Sequence, residues 1–350
     1  MRVVVTGATG NVGTSVLRSL ASEPAVDRVI GLARRLPSLD LAKTEWVAAD
    51  VATSDLKPCF EGADAVIHLA WLIQPSRNVA AAQRTNVEGS LRVFRAAAAA
   101  GVPRLVHASS VGAYSPGPKD RRVDETWPTN GIASSFYARH KAEVERLLDR
   151  FEAEHPEIRV VRLRTALVFK YRAASEIRRL FAGPLLPGRL VSPALIPVVP
   201  DVERLVFQAV HAHDAGDAYR LAVVDDDARG AFNIAGEPVL DPRELGRLLG
   251  ARPVRVPASV LRTGAAVSWR LRLQPSPEGW VDMALAVPLM DTTRAREQLG
   301  WAPQRSSGDA LLELMRGMRD GAGFQTPPLE PGGAGPMRAR EFLSGVGAKN

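Results

Sequence analysis

Tyr137 and Lys141 stand four residues apart in Tyr137-Ala138-Arg139-His140-Lys141. On a helix that spacing puts both side chains on one face, one turn apart. A free phenol, with a pKa of about 10, is a poor base at neutral pH, but a neighbouring ammonium favours the phenolate and lowers that value. The pair suits proton transfer to or from the oxygen of a carbonyl/alcohol couple. Upstream, the apolar run Arg104–Ala108 closes on Ser109-Ser110-Val111-Gly112-Ala113-Tyr114, which offers hydroxyls at a strand end. At the start of the chain, Val3–Thr6 runs into Gly7-Ala8-Thr9-Gly10-Asn11-Val12-Gly13, and a helix with apolar Val12, Val16, Leu17 and Leu20 follows. A glycine turn between strand and helix lets the backbone approach a pyrophosphate, and the helix offers it free amides and a positive dipole end. No Gly-Lys-Ser or Gly-Lys-Thr follows, which excludes an ATP phosphate loop.

These groups need a frame, and the first half of the chain supplies the pattern of one. Short β-branched runs alternate with longer helical ones, the signature of a parallel sheet. Strands are expected at Arg2–Thr6, Arg28–Leu32, Glu45–Ala49, Ala65–Leu69, Arg104–Ala108 and Arg159–Leu163. Long helices are expected over Ala80–Ala100 and from about Ser134 to Glu154. After Val168 the segments shorten and become rich in arginine and proline, which suggests a smaller substrate-facing lobe. Phe232–Ala235 reads as a last strand returning to the main sheet. The organisation is therefore an α/β, doubly wound Rossmann domain over 1–168, a partly interleaved lobe over 169–320, and a Gly/Pro-rich tail, 321–350, expected to be disordered.

The wide glycine spacing, the Tyr-x-x-x-Lys pair and the chain length resemble the extended short-chain dehydrogenase/reductase family, the epimerase/dehydratase type. The resemblance implies an NAD(P)-dependent oxidoreductase, or as an alternative a nucleotide-sugar epimerase/dehydratase. It implies that Ser110 holds the substrate oxygen, Tyr137 moves the proton, and Lys141 tunes Tyr137 and holds the nicotinamide ribose. Asn86, in Thr85-Asn86-Val87-Glu88-Gly89, matches the family's helix asparagine that supports the proton relay. Gly7, Thr9, Gly10, Asn11, Val12 and Gly13 would hold the pyrophosphate. Asp50 and Val51 resemble the adenine-contacting pair, and Leu69 and Ala70 the stretch under the nicotinamide-side ribose. Past the third glycine, where a carboxylate would hold the ribose hydroxyls of NAD, the chain has Leu32-Ala33-Arg34-Arg35. Guanidiniums there suit a 2′-phosphate, so NADP is favoured over NAD. A homodimer through the Asn86 and Tyr137 helices is also implied.

Arg162-Leu163-Arg164-Thr165-Ala166-Leu167-Val168-Phe169 resembles the strand leading into the substrate lobe, with Thr165 in place of a proline. The tyrosine-glycine pair and the asparagine frequent there in sugar-nucleotide enzymes are missing; Phe169-Lys170-Tyr171-Arg172 stands instead. Trp71 follows His68-Leu69-Ala70 where a small residue is frequent. Both departures weaken the sugar-nucleotide reading.

Bulk composition adds limits. The 350 residues are 46% hydrophobic and 24% charged, with a net charge of +7 spread over scattered arginines, so no polynucleotide track is expected. Cys59 is the only cysteine, which rules out an internal disulfide or thiolate zinc site and fits a reducing cytoplasm. No leader peptide or transmembrane helix is expected. Ala108–Gly112 also fits a relaxed nucleophile elbow, but that hydrolase reading leaves the amino-terminal cradle unexplained. His211-Ala212-His213-Asp214 reads as a solvated helix end rather than a metal site. A dinucleotide-sensing regulator without chemistry is disfavoured by Tyr137 and Lys141.

Overall fold

A computed structural model describes residues 1–74, 77–182, 191 and 195–331. Seven strands form one parallel sheet: β1 (Arg2–Thr6), β2 (Arg28–Ala33), β3 (Thr44–Ala48), β4 (Ala65–His68), β5 (Arg104–Ser110), β6 (Arg159–Thr165) and β7 (Gly230–Ile234). Their order is β7-β6-β5-β4-β1-β2-β3. The chain winds outward from β1 to β3, then crosses back to β4 on the other side of β1. The carboxyl ends of β1 and β4 therefore flank the switch point where open α/β sheets bind their ligands.

Alternation along the strands builds a core on each face. Val3, Val5 and Ile67 enter one apolar cluster with Val16, Leu17 and Leu20, whereas Val4 and Val66 enter the other with Phe60, Phe94 and Leu148. A strand buried on both sides needs an unbroken apolar run, which is what Val3–Val5 and Ala65–Ile67 supply.

The helix Asn11–Ala21 packs against Ala212–Val224, so closely that a Cβ on Gly216 would lie 2.7 Å from the Ser15 carbonyl oxygen. Interleaving is thus deep: a helix from the second half covers the first half of the sheet. The expected strand around Phe232 is β7, which completes the sheet edge beside β6. The expected helix Ala80–Ala100 runs from Val79 to Ala99 but is broken by a π-helical turn at Arg84–Glu88.

Two expectations are corrected. The tail is ordered as far as it is described: Thr326 and Leu329 are buried, and the Phe324 amide donates to the Leu329 carbonyl at 2.8 Å. Positions 332–350 lie outside the described residues. The His211–Asp214 stretch is not solvated: His211 and Asp214 are buried. The Asp214 carboxylate accepts from the Gln304 and Arg305 amides and from the Arg305 guanidinium, while His211 faces Glu313. Among the described residues no helix is long and apolar enough to cross a membrane, and no cluster of three His, Cys, Asp or Glu side chains could hold a metal.

Candidate active site

The glycine turn sits at the carboxyl end of β1, against the segment that leaves β4. Gly7 has φ +68°, and a Cβ there would stand 2.7 Å from the Ala70 amide nitrogen. Gly13 faces the carbonyls of Gly7 and Ala8, into which a Cβ would run. Gly10 differs: a Cβ there would meet only the Gly7 oxygen, at 3.4 Å. Internal packing therefore demands glycine at 7 and 13 but not at 10. Asn11 donates its side-chain amide to the Val168 carbonyl at 2.9 Å, and Val12 packs on the core beneath. What these two positions offer a ligand is backbone.

A groove of about 340 Å³ begins at this turn. Gly7, Thr9, Gly10, Arg34, Asp50, Val51, Leu69 and Ala70 all line it. The exposed Arg34 and Arg35 stand on its wall. The Asp50 carboxylate accepts from the Ala52 amide at 2.9 Å, which fixes the turn after β3. Across the groove the tail closes the cradle: the Thr326 hydroxyl donates to the Thr9 carbonyl at 2.8 Å, and Arg179 donates to the Pro328 carbonyl. An extended dinucleotide fits this cleft by its chemistry: a glycine cradle, a helix N-terminus and basic side chains.

Tyr137 and Lys141 lie at the end of the groove, behind Trp71. The helix Phe136–Glu154 starts at Ser135, whose hydroxyl accepts from the Ala138 amide, and this fixes the phase of Tyr137 and Lys141. Ser110 ends β5 and accepts from the Gly112 amide at 3.1 Å; its side chain is the group that draws the Tyr137 phenol back toward its ordinary acidity. Strand alternation sends Ser109 the other way, to donate to Glu145 at 2.5 Å. Of the two serines, the structure thus brings Ser110 to the tyrosine. The Lys141 ammonium is buried, donates to the Ala108 carbonyl at 2.7 Å and lies 3.4 Å from the Trp71 ring centroid. Trp71 meets Tyr137 edge-on, with ring centroids 5.9 Å apart. Trp280 leans on the other side of Tyr137 at 5.0 Å, and Phe181 abuts Trp280.

The expected electrostatics are partly overturned. The Tyr137 phenol is raised, not lowered: burial is the largest cause, and the Ser110 hydrogen bond pulls only partly the other way. Burial also brings Lys141 down to about 7, against the attraction of Glu145. Asn86 is fully buried and clamps Leu72, accepting from its amide at 2.7 Å and donating to its carbonyl at 2.8 Å. Its amide nitrogen lies 3.4 Å from His140 Nδ1, the neighbour of Lys141. Asn86 therefore holds the segment carrying Trp71 rather than touching Lys141.

Several residues at the site were not singled out by the sequence. Glu145, four positions past Lys141 on the same helix face, binds Arg162 and Arg164 and is held down to about 2, the two guanidiniums outweighing its burial. Helix spacing from Tyr137 and Lys141 was the available signal. Thr326 was hidden by the composition of the tail. Glu176 and Arg179 lie in an irregular stretch with no motif.

A parallel sheet with a glycine turn at its switch point, and a Ser–Tyr–Lys group beside the groove, defines an extended short-chain dehydrogenase/reductase. Residues 3–235 match the NAD dependent epimerase/dehydratase family, and the chain belongs to that family. An uncharacterised Mycobacterium tuberculosis protein, Rv2047c, is 27% identical over 93% of this chain, which spans about 31% of that relative's length. The UDP-glucose 4-epimerase of Mycolicibacterium smegmatis is 28% identical, over 91% of this chain and 99% of its own. The solved UDP-glucose 4-epimerase of Thermus thermophilus, in complex with NAD, shares the fold with a TM-score of 0.67 at 21% identity, covering 91% of this chain and 99% of that one.

Proposed function

We propose that this chain is an NAD(P)-dependent oxidoreductase that moves a hydride to or from a carbonyl/alcohol carbon. The observation that carries the reading is one groove that starts at the glycine cradle and ends on Trp71, whose ring touches both Lys141 and Tyr137. Bound there, the nicotinamide supplies the hydride acceptor or donor. Ser110 fixes the substrate oxygen through its hydroxyl. Tyr137, raised by burial, rests as the neutral phenol and is poised to give its proton to a carbonyl oxygen. In the reverse direction the phenol loses its proton, and a charged Lys141 with an oxidised nicotinamide favours that loss. Asn86 positions the Leu72 segment and the helix bearing Lys141.

The finer cofactor assignment is NADP, on the placement of Arg34 and Arg35 beside the adenine end of the groove. We further place the chain in a reducing cytoplasm, as a homodimer through the Asn86 and Tyr137 helices. A second reading is favoured by relatives matched over their whole length: an epimerase or dehydratase that uses the same atoms and keeps its cofactor.

The test is titration of the purified protein with NADPH and NADH, followed by fluorescence and melting shifts. NADPH should bind more tightly, and Arg34→Asp should erase the difference. Equal or tighter NADH binding sinks the arginine argument. Tyr137→Phe should keep cofactor affinity and lose about 10²–10⁴-fold in turnover. Cofactor that co-purifies and resists washing would favour the second reading.

A further inference from the structure

Lys170 is a cation where the chain has no ordinary use for one. It follows the short strand Leu167–Phe169, and its side chain is buried, 6% exposed. The ammonium reaches the first turn of the helix Asn11–Ala21: it donates to the Asn11 carbonyl at 2.6 Å, to the Thr14 hydroxyl at 2.6 Å and to the Ser15 hydroxyl at 3.0 Å. All three partners are neutral, so no bonded carboxylate balances the charge. The helix end it touches is itself the positive end of a dipole. Burying a charge in such a place is costly without a counter-ion. The neighbouring helix N-terminus is the one the glycine cradle opens onto, and the Asn11 side-chain oxygen beside it is buried with no partner.

We propose that Lys170 is a built-in positioning cation for the dinucleotide pyrophosphate, adding its charge to the helix N-terminus from beneath the cradle. The inference rests on the reading of the groove as a dinucleotide site. The bound anion adds a counter-charge to those of the distant Glu176 and Glu313, neither of which bonds the ammonium. It also holds the proton on Lys170, whose pKa is brought down to about 7 by burial in the free form. Affinity should therefore be highest below neutral pH and fall as pH rises through and above 7. Other groups face the ammonium. Glu176 and Glu313 favour its charge and Arg172 opposes it, while His213 is held neutral near it, down to about 3. Glu176, pushed up to about 7 by burial on the groove wall, is the one whose own titration overlaps.

Calorimetric binding of NAD, ADP-ribose and adenosine to the full chain at pH 6 and pH 9 tests this. Lys170→Met should weaken NAD and ADP-ribose by about ten-fold at pH 6 and much less at pH 9, leaving adenosine unaffected. Lys170→Arg, which does not titrate, should flatten the pH dependence and carries the test alone if Lys170→Met does not fold. Proton uptake on binding, read in buffers of different ionisation heat, should drop in Lys170→Met and persist in part in Glu176→Gln. Equal weakening of adenosine and ADP-ribose, or proton uptake unchanged by Lys170→Met and by Lys170→Arg, overturns the proposal. No binding of any dinucleotide by the wild type overturns the groove reading itself.

Discussion

At the scale of single residues, the site is arranged around what touches Lys141. Its ammonium donates to one carbonyl and lies over the Trp71 ring, with the Tyr137 ring 5.8 Å away, and burial dominates its acidity over the attraction of Glu145. Trp71 both contacts that ammonium and lines the groove, so it separates Lys141 from the solvent the groove admits. Trp71→Ala should let water reach the ammonium and raise its pKa from about 7. The loss of the cation–π contact acts the other way but is the smaller effect, since the ring has not prevented the lowering. A turnover profile of the variant should show its alkaline limb displaced to higher pH. A limb that stays in place would mean that Trp71 does not control the exposure of Lys141. The serine pair is a matter of alternation: a one-residue difference along β5 sends Ser109 to Glu145 and Ser110 to Tyr137.

At the scale of elements, two departures from regular structure do the positioning. The π-helical turn Arg84–Glu88 inserts into an otherwise α-helical run and carries Asn86 to the Leu72 backbone. Such bulges recur at functional sites because they displace one side chain from the regular helical phase. The other is the segment following the helix Ser307–Asp320. It folds back through the Ser175 hydroxyl to the Ala322 carbonyl, the Arg172 guanidinium over the Phe324 ring, and Thr326 on Thr9. Since this strap rests on the cradle, ending the chain after Gly321 should speed dinucleotide dissociation. Thr326→Val should do so more weakly, its hydroxyl being worth about 1 kcal/mol. Stopped-flow release of a bound dinucleotide measures both. Unchanged release in the truncated chain would reduce the strap to a structural cap.

For the whole molecule, the core holds histidines that cannot charge. His68, bonded to the Thr6 and Ser90 hydroxyls at 2.7 and 2.9 Å, is brought down to about 3, chiefly by burial. His107 is lowered as well for the same reason. In the unfolded chain both bind protons below about pH 6.5. Their lowered folded values therefore give stability that is present above about 6.5 and lost as pH falls, by roughly 1.4 kcal/mol per unit for each. Glu145, held down to about 2 by its arginines, adds a second loss once pH drops below the ordinary carboxylate range. Melting temperature should fall from pH 7 to pH 5 and more steeply below 4.5. A flat profile between 7 and 5 would contradict the burial of these imidazoles.

Local periodicity was enough to read the strands at Val3 and Ala65, the glycine turn, and the Tyr137–Lys141 face, because each depends on residues within one turn or one pleat of each other. The same local signal left the choice between Ser109 and Ser110 to a resemblance. Other features depended on segments far apart in the chain. Gly216 lies on Ser15, Lys170 under Asn11, Thr326 on Thr9, and Asn86 on Leu72. None of these pairs has a spacing that local periodicity can reveal. The acidity of Tyr137 belongs to this second group: adjacency to a lysine predicted a lowered phenol, but burial, which only packing creates, raised it. The sequence by itself determined the α/β class, the glycine turn and the shared helix face of Tyr137 and Lys141. Tertiary structure decided which polar groups meet, which charges are buried, and what closes over the groove, since those are set by the sum of distant contacts.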